Sequence, residues 1–278
     1  MRSLFIAAAV AVLPSAALAQ EPPRDVSIAS GEAAMSARLL KGVGEGARPA
    51  IILFNGFPAG PGIPRIATEL QASGYTVLLP QYRGTGTSGG AVSVRHSRDD
   101  GAAALSWLKS EDGVDQTKIG VLGVSYGGWV ALQTAAADRS VRCAVALVPA
   151  DMGVIGARWA ADADYRAAWK ADLDGVAADP ASARFGTGGV EGFISEAVAD
   201  AESLGLAQRA GDLADRPIFV AGGRRDPAAP FAQHYAPLVE ALRAAKARFT
   251  ALEFDGGHNP SEASAAARSF IERSCFAS

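Results

Sequence analysis

The chain has 278 residues, 49% of them hydrophobic and 20% charged, which is enough to bury one sizeable core and makes a single domain the default. A formal charge of −3 argues against nucleic acid or an anionic membrane surface as partner. The three histidines form no ligand-spaced cluster and the two cysteines no C-x-x-C pair, so the pattern supports neither a metal centre nor thiol redox chemistry.

The first segment carries a positive start at Arg2, an apolar stretch from Leu4 to Leu13 too short to span a bilayer, and small residues at Ala17 to Ala19. This reads as a secretory signal over residues 1–19 with maturation before Gln20, the alternative being an uncleaved N-terminal anchor. Export places the mature domain, 20–278, in the periplasm or outside the cell, with no integral membrane segment left. Loss of Arg2 makes it one unit more acidic.

Val26 to Ser30 and Ala34 to Leu40 alternate apolar and polar residues around Gly31, as in an antiparallel hairpin. Six apolar runs follow: Ala50 to Phe54, Tyr75 to Leu79, Ile119 to Val124, Val141 to Val148, Pro217 to Ala221 and Phe249 to Phe254. Amphipathic stretches lie between most of them or close the chain, at Ile63 to Ala72, Ser97 to Ser110, Tyr126 to Ala137, Phe231 to Ala247 and Pro260 to Arg273. Runs such as Ile51 to Phe54 are apolar on both faces, as strands covered by helices on each side must be. The expected class is α/β: a mostly parallel eight-stranded sheet between two helical layers, opened by the antiparallel hairpin.

Asp151 to Arg216 is too long for a simple crossover and is expected to form a small helical lid after the sixth strand, with helices near Ile155 to Ala177 and Val190 to Ala210. Tyr165, Trp169 and Leu173 share one helical face there. Packing of the lid onto the body is the first reading, substrate contact by Tyr165 and Trp169 the second. Trp129 is expected near the mouth of the site. Cys143 and Cys275 pair in a disulfide or remain two thiols.

The chemistry is expected at Gly123-Val124-Ser125-Tyr126-Gly127, where a serine lies on a tight strand-to-helix turn. A serine hydroxyl needs a base to take its proton and a third group to orient that base. His258 follows a strand in the loop Asp255 to Pro260, at the end where such sheets place their chemistry. His96 precedes a helix and His234 lies inside one, where packing or surface roles suffice. Asp226 follows the strand Pro217 to Ala221 and is the expected acid, with Asp255 as competitor. The backbone amides of Tyr126 and Phe57 are the expected oxyanion donors, since Pro58 has no N–H.

The order Ser125, Asp226, His258, the hairpin start, the loop Tyr82 to Gly89, the elbow and the Asp226-Pro227 loop together resemble the α/β-hydrolase superfamily. They are most similar to its dienelactone hydrolase and prolyl-oligopeptidase-like branches. That resemblance implies cofactor-free hydrolysis of a small-molecule acyl substrate, such as a carboxylic ester, thioester, lactone or amide, through a covalent acyl-enzyme. Many relatives carry His-Gly where this chain has Asn55-Gly56. Two other classes compete: Gly84, Gly86 and Gly89 form a literal G-x-G-x-x-G that would suggest an NAD(P)-binding oxidoreductase, and the fold also suits a non-catalytic binding protein.

Overall fold

Strict alternation along the central strands sends side chains to two buried faces. Ala50, Ile52 and Phe54 join one core, while Ile51 and Leu53 join another on the opposite side of the same strand. This is the computed structural model of the protein, and it describes residues 20–58, 60 and 62–276. The signal reading at 1–19 lies outside the described residues.

Eight strands form one sheet in the order β1-β2-β4-β3-β5-β6-β7-β8. β1 (Arg24–Ser30) and β2 (Ala33–Leu40) make the antiparallel hairpin, and β2 pairs antiparallel with β4 (Thr76–Pro80). β3 (Arg48–Phe54), β5 (Val114–Val124), β6 (Val141–Leu147), β7 (Ile218–Gly223) and β8 (Phe249–Phe254) continue from β4 in parallel. Parallel pairing requires crossovers. α2 (Val94–Ser110), α3 (Tyr126–Ala137) and α9 (Tyr235–Ala244) cover one face, and α1 (Arg65–Ala72) and α10 (Ser261–Phe270) the other. Each large apolar side chain so buried contributes about 1.5 to 3 kcal/mol.

Cys143 of β6 and Cys275 of the π-helical turn Ile271–Cys275 are joined in a disulfide, 132 residues apart in sequence. Closing so long a loop stabilises the fold by about 4 to 5 kcal/mol in the chain-entropy picture.

Between β6 and β7 the chain is helical but more broken than periodicity suggested: α4 (Met152–Ala161), α5 (Ala163–Ala177), α6 (Gly189–Ala199), α7 (Ala201–Leu204), a 3₁₀ turn at Ala207–Arg209 and α8 (Ala210–Leu213). The first break falls at Asp162, whose carboxylate accepts from Tyr165 N at 2.9 Å and so starts a new helix. A second falls beyond Leu204. There Leu206 N donates to the buried Asp151 carboxylate at 2.9 Å, and Trp129 Nε1 and Gln133 Nε2 both donate to Leu204 O at 2.8 Å. Backbone groups taken by tertiary partners cannot continue a helix.

Helix α2 starts three residues earlier than its apolar spacing indicated, because Ser93 caps it and accepts from His96 N. Helix α9 starts four residues later than expected. The stretch from Pro230 is a tight turn in which His234 N and Gln233 N both donate to Pro230 O.

Candidate active site

The elbow is built from glycine spacing. A Cβ on Gly123 would lie 1.9 Å from Gly127 O, and one on Gly127 would lie 2.1 Å from Phe54 O, so the strand, turn and helix can approach only if both stay bare. Ser125 sits between them at φ 56°, a left-handed conformation that few non-glycine residues adopt. Its amide donates to Leu147 O of β6 at 2.9 Å, and its carbonyl accepts from Gly128 N and Ala150 N. The hydroxyl is thereby held above the carboxyl ends of the strands.

The two other loops meet it there. A Cβ on Gly223 would lie 2.4 Å from Gly257 O, so the end of β7 passes directly under the histidine loop. Arg224 N bonds Phe254 O and Arg225 N bonds Gly256 O, which locks the two loops together. Asp226 is buried. Its Oδ1 accepts from Ala228 N at 2.9 Å and Ala229 N at 2.8 Å, and its Oδ2 lies 2.7 Å from His258 Nδ1. His258 Nε2 lies 2.8 Å from Ser125 Oγ. A carboxylate only accepts, so Nδ1 carries the proton, leaving Nε2 to accept from the serine hydroxyl in the neutral ring. Such a relay can pass a serine proton to imidazole while the carboxylate stabilises the resulting cation.

Asp255 turns away: its side chain is 78% exposed and pairs with Arg225 at 3.4 Å. His96 Nδ1 faces Ala91 O at 3.0 Å, away from the serine. His234 is fully buried at the start of α9, where its Nδ1 accepts from Asp151 N at 3.0 Å; burial pushes its imidazole down to about 4.

Ser125 and His258 face an open cleft of about 520 Å³, whose walls include Asn55, Phe57, Pro58, Ile63 and Pro64. Tyr82 fixes one wall by donating to Asn55 O at 2.8 Å. Neither Phe57 N nor Tyr126 N donates a hydrogen bond among the described residues, so both amides remain available to a ligand. The Phe57 ring is itself held by stacking on Phe193 and edge contact with Phe185 from the helical segment.

The aromatic residues expected near substrate lie elsewhere. Trp129 is completely buried under the helical segment, with its indole N–H on Leu204 O, because it points off α3 toward α7 rather than toward the mouth. Tyr165 lies under the Arg158 guanidinium at 3.8 Å and edge-on to Trp169, which packs on Trp159. None of the three borders the cleft at Ser125. A polar element missed by periodicity is Glu196, whose carboxylate takes Ser93 Oγ at 2.8 Å, Val94 N at 3.0 Å and Arg95 N at 3.2 Å. It fills the N-terminus of α2, the place a pyrophosphate would need after the Gly84–Gly89 loop.

The sequence model of the X-Pro dipeptidyl-peptidase (S15 family) matches residues 17–176, more than half of the chain, a span that holds Ser125 but ends before Asp226 and His258. The polyketide transferase grgF of Penicillium sp. is 35% identical over 107 residues, which cover 36% of this chain and 36% of that relative. The crystal structure of the α/β hydrolase GrgF from Penicillium sp. sh18 superposes with a TM-score of 0.66 at 18% identity, over 92% of this chain and 99% of that one. Pyrococcus horikoshii acylaminoacyl peptidase gives 0.70 at 16% identity, covering 93% of this chain and 42% of that one. At such identities these two likenesses speak for fold alone. With the sheet order, the elbow and the matched span together, the chain belongs to the X-Pro dipeptidyl-peptidase (S15) family of the α/β-hydrolase superfamily.

Proposed function

We propose that this protein is a serine hydrolase that cleaves a carboxylic ester or related acyl bond through an acyl-enzyme. Ser125 attacks the carbonyl carbon as its proton passes to His258 Nε2, and Asp226 holds the imidazole in the right tautomer and stabilises its charged form. The amides of Phe57 and Tyr126 receive the developing oxyanion. Collapse of the tetrahedral intermediate expels the alcohol, which takes the proton from His258. Water activated by the same imidazole then releases the acid and restores Ser125.

The observation that carries this reading is the continuous Ser125–His258–Asp226 relay, 2.8 and 2.7 Å per link, opening on a cleft. A fluorophosphonate probe with peptide mass mapping tests it. Label on Ser125, abolished in Ser125→Ala, is expected; label elsewhere overturns it. A chain-length series of nitrophenyl esters then sizes the acyl site.

The family favours a second reading, cleavage of an amide bond after an X-Pro dipeptide. Against it, the described residues bordering the cleft include no Asp or Glu to receive a free N-terminal ammonium. Turnover of X-Pro-nitroanilide faster than of any nitrophenyl ester decides for the peptidase. Export is part of the proposal: the N-terminal pattern supports it, and the Cys143–Cys275 disulfide suits an oxidising compartment.

A further inference from the structure

Three neighbouring parallel strands carry an arginine at or just before their N-terminal ends, at the rim opposite Ser125. Arg142 is the second residue of β6, Arg216 lies two residues before β7, and Arg248 directly precedes β8. The register brings them together, since Ala144 pairs with Ile218 and Ile218 with Phe249, in strands about 4.8 Å apart. Arg139, in the turn entering β6, completes the group. All four border one small polar cleft of about 110 Å³ with Asp215 and Cys275.

The four guanidiniums differ in their bonding. Arg216 is buried and its Nη1 donates to Ala135 O, Asp138 O and Val141 O, while its Nε bonds Asp215 Oδ1 at 2.8 Å. It forms a fixed floor, and its hydrogen bond holds the Asp215 carboxyl below its ordinary range. Arg139, Arg142 and Arg248 are exposed and make no ion pair within 4 Å among the described residues. The cleft thus gathers four cations against one carboxylate, although the whole chain is acidic. Four like charges sharing a single carboxylate, Asp215, still repel one another, and an oxyanion bridging the exposed forks would relieve that repulsion through charge-assisted bonds.

We propose that this cleft binds a tetrahedral oxyanion, phosphate or sulfate, either free or as an exposed ester headgroup. Its volume lies far below the roughly 300 Å³ at which organic-ligand pockets begin, so the anion itself is the recognised unit. The site stands at the far end of the sheet from Ser125 and does not depend on the proposed hydrolysis.

Isothermal titration with inorganic phosphate at constant ionic strength tests it, with Arg142→Ala/Arg248→Ala as comparison. Both changes lie on the surface, and unchanged near-UV circular dichroism verifies the fold. Saturable binding that weakens at least about tenfold in the double variant is expected. Heat no greater than that of matched chloride, or equal affinity in the variant, overturns the site. Flotation with phosphatidylglycerol vesicles distinguishes the source. Capture that phosphate competes away and the variant loses points to a headgroup, and phosphate binding without capture to the free anion.

Discussion

Two buried aspartates end neighbouring strands and do different things. Asp226, after β7, gives one oxygen to the amides of Ala228 and Ala229 and the other to His258. Asp151, after β6, gives one oxygen to Gly153 N and Val154 N and the other to Leu206 N, so both are consumed by backbone. Their burial is alike and their local turns are alike. What separates the proposed catalytic aspartate from a structural anchor is the group that the second oxygen meets.

The largest expected effect tests that distinction directly. In Asp226→Asn, the amide NH₂ facing the imidazole imposes the tautomer with a proton on Nε2, which cannot accept from Ser125. The expected loss in kcat is about 10⁴-fold, with the thermal midpoint nearly unchanged. Ser125→Ala should lose at least as much. Asp151→Asn, by contrast, should leave kcat within a few-fold of the parent. Equal losses of nitrophenyl ester hydrolysis in the two asparagine variants would erase the comparison.

Asp151→Ala carries the second effect, this time on stability. It removes the cap of α4 and leaves the amide of Leu206 buried without an acceptor, at a combined cost of about 4 kcal/mol. Asp151 is buried where solvent cannot replace its partners, and that burial raises its pKa despite three amide bonds. Urea unfolding should show the loss as a lower midpoint. A midpoint matching the parent's would mean that the helical segment is anchored elsewhere.

Which of these residues were legible in the sequence follows the same division. The elbow declares itself because its glycines are needed for a backbone approach wherever the motif folds, and Asp226 and His258 were readable as loop residues just past apolar runs. The relay needs only those strand ends to be neighbours, and the parallel order supplies that. In the sequence Asp151 is merely the first residue of an insertion, since its partner Leu206 lies 55 residues away and no local pattern announces it. Trp129 lies away from the expected mouth for a related reason. Being four residues beyond Ser125 fixes its distance along α3, but only the position of α7 decides that it faces Leu204. The breaks in the helical segment are likewise made by tertiary hydrogen bonds that helical periodicity does not encode.

The third effect separates the two histidines of this region. His234 is held neutral by burial, opposed by the Asp226 charge and reinforced by His258 and Arg158, so its folded pKa of about 4 lies below the ordinary 6.5. Between those values the unfolded chain binds the proton and the folded chain does not. The neutral ring's contribution is therefore fully present above about pH 6.5 and is lost as pH falls toward 4, amounting to about 3 kcal/mol. His234→Asn keeps an acceptor for Asp151 N and removes the titration. Thermal midpoints from pH 7 to 4 should fall less steeply in this variant. Parallel curves would assign the acid loss to other groups.

The smallest effect concerns how the helical segment is held above the body. Leu204 O receives both Trp129 Nε1 and Gln133 Nε2, so Trp129→Phe removes one donor while the carbonyl keeps the other. Much of the ring's apolar surface remains, and the expected cost is about 1 kcal/mol, with kcat unchanged. Trp129→Phe/Gln133→Leu leaves the same buried carbonyl with neither donor and should cost more than the two single changes added together. Strict additivity in a double-mutant cycle would show that the carbonyl finds another donor. A fall in kcat for the tryptophan change alone would instead connect this anchor to the proposed site at Ser125, through the contact of Trp129 with Tyr126 and of Tyr126 with Phe57.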